Sequence, residues 1–336
     1  MRARAANMGA LPITASGTAE PLAHGGDLSA IQRRFPEAPE PWIDLSTGIN
    51  PVPYPVVDLG PETWSRLPTR QQEQALLEAA AGRYGVRDPA TIVAAPGTQA
   101  LIQLLPRLVE KSRIAVLGPT YEEHAHCWAR QGHDVGVVSA FERADVTIVV
   151  NPNNPTGKLL PPDMLRQDHG LLIVDEAFVD LLPREASLAA DLPASTIVLR
   201  SFGKVYGLAG VRLGFAIAEK PLADRIRDEL GPWAVSGPAL EIGRRALADP
   251  AWLQAATVRL AADRQKLDAL LVSAGCEILG GTPLFCLVHH PDAAGLADRL
   301  GRRGIHVRRF AREPQWLRFG LPASSVEFNR VAAALA

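Results

Sequence analysis

Ser201-Phe202-Gly203-Lys204, followed eight residues after the lysine by Arg212 in Gly210-Val211-Arg212-Leu213-Gly214, is the stretch on which the fold turns. The β-branched apolar run Thr196 to Leu199 precedes it, and a second run, Leu213 to Ala218, follows. A lysine therefore stands where the chain leaves one predicted strand and turns toward the next. In open α/β sheets such strand ends line the ligand crevice. An amine held there among small and apolar residues is desolvated, which lowers its pKa and frees the neutral form for Schiff-base chemistry. Ser201 and Arg212 then flank it as phosphate ligands. The same residues also describe an ordinary surface lysine in a glycine-rich loop, and the segment alone does not separate the two.

Outward from this stretch, short β-branched runs alternate with segments of helical period from about Gln71 to Ala218. That is the pattern of an α/β core with a mostly parallel sheet and helices on both faces. Strands are predicted at 91–95, 113–117, 134–139, 146–150, 171–174, 196–199 and 213–218. Before the core lies an arm in which Pro36, Pro39, Pro41, Pro51, Pro53 and Pro55 disfavour regular helix. After Gly237 come long Ala/Leu/Arg helical stretches, a run from Leu284 to His289, a helix near 293–303, and short strands around His306 and Leu317. The expected division is an arm and small-domain segment at 1–50, a large domain at 51–236, and a smaller α+β domain at 237–336.

Composition narrows the function classes. The 336 residues are 47% hydrophobic, enough for a substantial core, and 35 Lys and Arg balance 36 Asp and Glu. Nothing global draws the chain to nucleic acid or an acidic membrane, so any anion preference must be local. Cys127, Cys276 and Cys286 are odd in number and lack metal-ligand spacing, so they read as structural thiols in a reducing compartment with no metal site. Arg2 and Arg4 precede an apolar stretch, Met8 to Ile13, that is short and interrupted by Pro12, so no secretion signal is expected. No apolar run approaches the roughly 20 residues of a spanning helix. A cytoplasmic protein is expected.

The other strand ends carry the context. Asp175 ends the run Leu171-Leu172-Ile173-Val174, where burying a carboxylate is costly without a partner. A protonated pyridine nitrogen is a suitable partner, because the carboxylate keeps it cationic and the cation draws electrons from a substrate carbanion. A helix cap or structural salt bridge is the plainer alternative. Asn151-Pro152-Asn153-Asn154-Pro155-Thr156-Gly157 follows the 146–150 run; it suits a turn, and an Asn amide there can donate to a phenolate. Gly97-Thr98-Gln99-Ala100 links a strand to a helix, so its backbone N–H groups and the Thr98 hydroxyl suit a phosphate, although Thr98 also suits a plain N-cap. Tyr121, in Pro119-Thr120-Tyr121, reads either as a ring stacked on a cofactor or as a core aromatic.

Taken in order, these motifs resemble the fold-type I enzymes dependent on pyridoxal 5'-phosphate (PLP), the aspartate aminotransferase superfamily, across roughly residues 24–336. The resemblance implies that 51–236 is the PLP-binding domain, that Lys204 carries PLP as a Schiff base, that Asp175 pairs with its ring nitrogen, and that Asn154 bonds its phenolate. It implies that Gly97, Thr98, Gln99, Ser201 and Arg212 hold the phosphate, with Tyr121 and Phe178 beside the ring. Arg318, in Trp316-Leu317-Arg318-Phe319, matches the arginine that grips the substrate α-carboxylate, a bidentate task suited to a guanidinium.

Within that superfamily the chain is most similar to the cobalamin-biosynthetic threonine-phosphate decarboxylases, close relatives of histidinol-phosphate aminotransferase. His24-Gly25-Gly26-Asp27, Asp44-Leu45-Ser46-Thr47-Gly48-Ile49-Asn50-Pro51, and Phe178 where most of the aminotransferases have tyrosine carry this likeness. It implies that His24, Gly25, Gly48, Asn154, Arg308 and Arg318 bind a phosphorylated amino acid, whereas Arg309 and Arg312 read as a solvated face. Two departures stand out: 139–145 is shorter than in typical relatives, predicting loss of a surface helix, and residue 48 is Gly, leaving only backbone donors. The implied reaction is decarboxylation of L-threonine O-3-phosphate to (R)-1-amino-2-propanol phosphate. The alternatives are a histidinol-phosphate or other amino-acid aminotransferase, and a PLP-fold scaffold without catalysis. By analogy with the superfamily a homodimer is expected.

Overall fold

The computed structural model describes residues 11–12, 25–56, 58–167 and 170–336. Two sheets organise them. The larger has eight strands: β1 (Leu11–Pro12), β3 (Ile92–Ala95), β4 (Arg113–Leu117), β5 (Asp134–Val138), β6 (Val146–Val150), β7 (Leu171–Asp175), β8 (Thr196–Ser201) and β9 (Gly214–Ala218), in the order β1-β5-β4-β6-β7-β8-β9-β3. Strands β5, β4, β6, β7 and β8 are parallel, whereas β9 runs antiparallel to both β8 and β3. β6, β8 and β9 are buried at every residue, as befits strands covered on both faces.

This topology places the sequence motifs on one edge. β3, β4, β6, β7 and β8 point the same way, so Gly97-Thr98, Tyr121, Asn151 to Gly157, Asp175 and Lys204 all leave the same end of the sheet. β9 runs the other way, so Arg212, two residues before it, stands at that same end. Crevices at such an edge are where α/β sheets bind ligands.

The smaller sheet combines β10 (Glu277–Thr282), β11 (Phe285–His289), β12 (Ile305–Arg309) and β13 (Trp316–Gly320) with β2 (Ile43–Leu45), in the order β10-β11-β13-β12-β2. β2 pairs parallel with β12, with His306 opposite Asp44. The helix Pro250–Ser273 is capped by Asp249, whose carboxylate accepts from Trp252 N–H at 2.9 Å. It buries Leu253, Ala256, Leu260, Leu267 and Leu271, one stripe at helical spacing, each leucine contributing about 1.5–3 kcal/mol of burial.

Several local expectations shift. The proline-rich arm holds a strand, β2, because its alternating Ile43 and Leu45 complete the small sheet's core. The run expected from Thr91 starts one residue later, since Asp88 caps a 3-10 turn at Pro89–Thr91. The run expected from Leu213 starts at Gly214, because Arg212 has φ +55° and breaks the ladder. Residues 139–145 contain no helix and connect β5 directly to β6. The helix Gly237–Leu247, beyond the expected boundary at 237, lies on the large-sheet side: a Cβ at Gly243 would stand 2.4 Å from Leu213 and 2.9 Å from Leu76. Cys127, Cys276 and Cys286 are all buried and unpaired, in keeping with structural thiols. No described helix is long and apolar enough to cross a membrane, and no cluster of metal-ligating side chains occurs among the described residues.

Candidate active site

Lys204 lies in a single turn of helix, Phe202–Val205, directly after β8. Its carbonyl accepts from Asn50 N–H at 2.9 Å, which ties the arm to the lysine turn. The Asn50 side chain reinforces this by donating to Val205 O at 2.8 Å. Burial, then the positive charge of Arg318 and, less, that of Arg212, pull the Lys204 amine down to about 8 against the opposing charge of Asp175. The neutral amine is therefore abundant at mildly alkaline pH, as a carbonyl-capturing lysine requires.

Asp175 ends β7 and is almost fully buried. Its Oδ1 accepts from Ala177 N–H at 3.1 Å and its Oδ2 lies 2.9 Å from His124 Nε2. A carboxylate offers only acceptors, so His124 Nε2 carries the hydrogen. His124 was not identified from sequence; the available signal was a histidine three residues after Tyr121, at the start of the helix Glu123–Arg130. Tyr121 packs edge-on against His124 at 6.1 Å and donates its hydroxyl to Gln99 Oε1 at 3.2 Å, while Gln99 Nε2 donates to Glu123 at 2.6 Å. The Gln99 side chain is thus engaged within the protein, and its backbone N–H is what it offers at the helix start.

Beside this floor is a concave cradle. The helix Thr98–Leu104 begins after Gly97, whose φ is +84°. A Cβ at Gly97 would stand 2.8 Å from Arg212 Nη2, and one at Gly214 would stand 2.6 Å from Thr98 N. Only glycine at both positions lets the Arg212 guanidinium and the helix start converge. Ser201 is directly opposite Gly214 in the β8/β9 register. Two positively polarised groups, amides and guanidinium, with a hydroxyl nearby have the chemistry to hold a dianion.

The opposite wall comes from the small sheet. Arg318 on β13 is directly opposite Arg308 on β12. Like charges facing each other across strands are destabilising. Burial, then Arg308, holds the Arg318 guanidinium down to about 10, with Asp44 opposing. Burial also holds Arg308 below the ordinary arginine value. Among the described residues neither arginine forms an ion pair. Arg318 instead donates to two neutral acceptors, Asn154 Oδ1 and Ser46 O, the latter at 2.7 Å.

Ser46 is the junction of this wall. Its hydroxyl donates to Asp44 and accepts from Gly26 N–H at 2.9 Å, and a Cβ on Gly25 would stand 2.5 Å from Ser46 O. Gly48 lies against an aromatic pair: a Cβ there would stand 2.7 Å from Phe285 and 3.0 Å from Phe178. Those rings meet edge to face at 5.1 Å; Lys204 Nζ lies 5.7 Å from the Phe178 ring and Arg318 lies 5.1 Å from that of Phe285. The aromatic pair therefore spans the gap between amine and guanidinium. His24 lies outside the described residues. Arg309 pairs with Asp298 and stands apart from this wall.

The donor set has a definite chemistry: a depressed lysine amine, a buried histidine-held carboxylate for a cation, a glycine-shaped cradle for a dianion, and two paired arginines for further anionic groups. The residues fit PLP, whose aldehyde, pyridinium and phosphate match the first three in turn.

Comparison with known proteins agrees. The chain matches the family "Aminotransferase class I and II" over residues 41–335. It is 44% identical to a threonine-phosphate decarboxylase of a Sinorhizobium species over 94% of this chain and 98% of that protein. It is 41% identical to the threonine-phosphate decarboxylase of Pseudomonas aeruginosa over 94% and 97%. A crystal structure of histidinol-phosphate aminotransferase from Sinorhizobium meliloti in complex with pyridoxal-5'-phosphate superposes with a TM-score of 0.77, at 22% identity, over 96% of this chain and 97% of that one. At that identity the superposition speaks for the fold, whereas the two sequence relatives speak for the branch. A strand-end lysine and aspartate on one sheet, faced by two arginines from another, thus belong to a member of the class I and II aminotransferase family, on its threonine-phosphate decarboxylase branch.

Proposed function

We propose that this chain is a PLP-dependent carboxy-lyase that converts L-threonine O-3-phosphate to (R)-1-amino-2-propanol phosphate and CO2, a step of cobalamin biosynthesis. The observation that carries this reading is the facing of Arg308 and Arg318, neither of which forms an ion pair among the described residues. Such a pair calls for a ligand with more than one anionic group, and a phosphorylated amino acid supplies a carboxylate and a phosphate. The 41% and 44% identical relatives bear names for that chemistry.

When bound, PLP supplies a conjugated electron sink for the pair left on Cα as a bond to that carbon breaks. Lys204 would hold it covalently, Asp175 its ring nitrogen, Asn154 its phenolate, Tyr121 its ring face, and Gly97, Thr98, the Gln99 N–H, Ser201 and Arg212 its phosphate. His124, 2.9 Å from Oδ2, fixes the orientation of the Asp175 carboxylate. Arg318 grips the substrate carboxylate, and its bonds to Asn154 and Ser46 set the angle at which the carboxylate leaves. Arg308, with His24 and the backbone at Gly25 and Gly48, receives the substrate phosphate. The Phe178–Phe285 pair gives the space between Lys204 and Arg318 an apolar wall against water. Lys204, as the ammonium form, or water then returns a proton to Cα.

A second reading is amino-acid transamination, the chemistry for which the matching family is named. There Lys204 would move the Cα proton and CO2 would be retained. One assay separates them: purified holoenzyme with O-phospho-L-threonine should release CO2 stoichiometrically with amine phosphate. Retention of CO2 together with amino transfer to a 2-oxo acid would reverse the assignment. The reading includes a homodimer, supported by the exposure of Trp64, Leu67 and Trp233 at 60–69%; sedimentation of the holoenzyme checks it.

A further inference from the structure

The β10–β11 hairpin carries a feature that the cofactor chemistry does not use. Its register slips between Ile278, opposite Val288, and Gly280, opposite Leu287. This is a bulge, with φ of +155° at Gly280 and +142° at Gly281. The extra residue brings two backbones into contact. A Cβ at Gly280 would stand 2.2 Å from Thr156 O, and one at Gly157 would stand 2.0 Å from Gly281 O. Those obstacles are main-chain atoms, which cannot swing aside. Arg264, on the helix Pro250–Ser273, pins the bulge from the other side: Nη1 donates to Thr282 O and Phe285 O, both at 2.6 Å, and Nη2 to Gly280 O at 3.3 Å. Asp268 orients that guanidinium at 2.7 Å.

The contacts close on themselves. Gly280 pairs with Leu287, Leu287 pairs with Arg318, Arg318 bonds Asn154, and Thr156 of the same loop rests on Gly280. We propose that Gly280 and Gly281, held by Arg264, are positioning residues for the substrate: they seat the 154–157 loop and thereby set where Asn154 meets Arg318. Lys204, Asp175, Thr98 and Arg212 stand on other strand ends, outside this ring. The inference rests on the decarboxylase reading for its substrate and on geometry alone for the loop.

The test compares holoenzymes of Gly280→Ala, Gly157→Ala and Arg264→Lys with wild type. Gly82→Ala is the control, because a Cβ there meets nothing within 4 Å. KM for O-phospho-L-threonine should rise about tenfold or more in the first three, with cofactor content retained and kcat less affected than KM. Amide exchange should quicken at Asn153 and Gly157, whose N–H groups bond Lys158 O at 2.8 Å and Asn153 O at 2.7 Å. Wild-type KM and exchange in these variants would overturn the proposal, as would cofactor loss in parallel with substrate affinity. If a glycine variant fails to fold, Arg264→Lys decides by the same measurements. If wild type releases no CO2 the decarboxylase reading fails, and the exchange measurement still decides this one.

Discussion

Arg200 and Arg318 are both buried arginines, 3% and 8% exposed, yet their surroundings differ in kind. Arg200, on β8, meets Glu176 at 3.1 Å and Asp180 more closely still, and lies 4.3 Å over the Tyr84 ring. Burial works against its charge, but Asp180 and then Glu176 outweigh it, so its pKa stands above the ordinary arginine value. Glu176 in turn is fixed by Ser187 and by Leu188 N–H at 2.8 Å. Arg318 forms no ion pair among the described residues: it bonds an amide oxygen and a carbonyl, lies over the Phe285 ring, and burial, then Arg308, holds its pKa down against Asp44. A buried charge balanced from within clasps the ends of β7 and β8 and serves the fold. One left without an ion pair suits an anion from outside.

That contrast is open to direct attack. The largest effect should come from Arg200→Met, which strands Glu176 without a counter-charge and leaves Asp180 only Arg83, at 3.4 Å. Urea unfolding should show a loss of about 3–5 kcal/mol. Arg318→Gln should do the opposite: stability equal to or above wild type, because it relieves the repulsion with Arg308, while kcat/KM falls by about 2–5 kcal/mol in transition-state free energy. Equal destabilisation by the two substitutions would erase the distinction.

The smallest effect is a titration. In the apoprotein the Lys204 amine, whose ordinary value is 10.5, titrates at about 8. Its rate of capture of PLP should therefore rise with pH around that midpoint. Arg318→Gln removes a cation and should move the midpoint up; Asp175→Asn removes an anion and should move it down. Between about 8 and 10.5 the unfolded chain holds a proton that the native state has released, so this group adds stability to the apoprotein as pH rises through that window. Identical midpoints in all three proteins would show that Arg318 and Asp175 are electrostatically remote from the amine.

Much of the large sheet was legible because its evidence is local. β4 and β6 coincide with their sequence-expected runs, Arg113 to Leu117 and Val146 to Val150, and the residues singled out for chemistry stand at strand ends. β10 was missed: Gly280 and Gly281 interrupt its alternation, and glycines in a run read as a turn. β2 was missed because the prolines around it disfavour regular structure locally, while its pairing partner lies far along the chain.

The amino-acid sequence by itself determined the elements and what stands at their ends: Lys204 after β8, Asp175 closing β7, Gly97-Thr98 opening a helix, Asn154 in a proline-fixed turn. Hydrophobic period and turn chemistry are short-range properties, so they survive in a one-dimensional reading. Tertiary structure alone decided that His124 holds Asp175, 51 residues away, that Arg318 rests on Ser46 across 272 residues, and that Arg308 faces Arg318. It also decided that a double-glycine bulge supports the Asn154 loop. Register and backbone approach are set by which faces pack together, and no local pattern encodes a distance between residues so far apart in the chain.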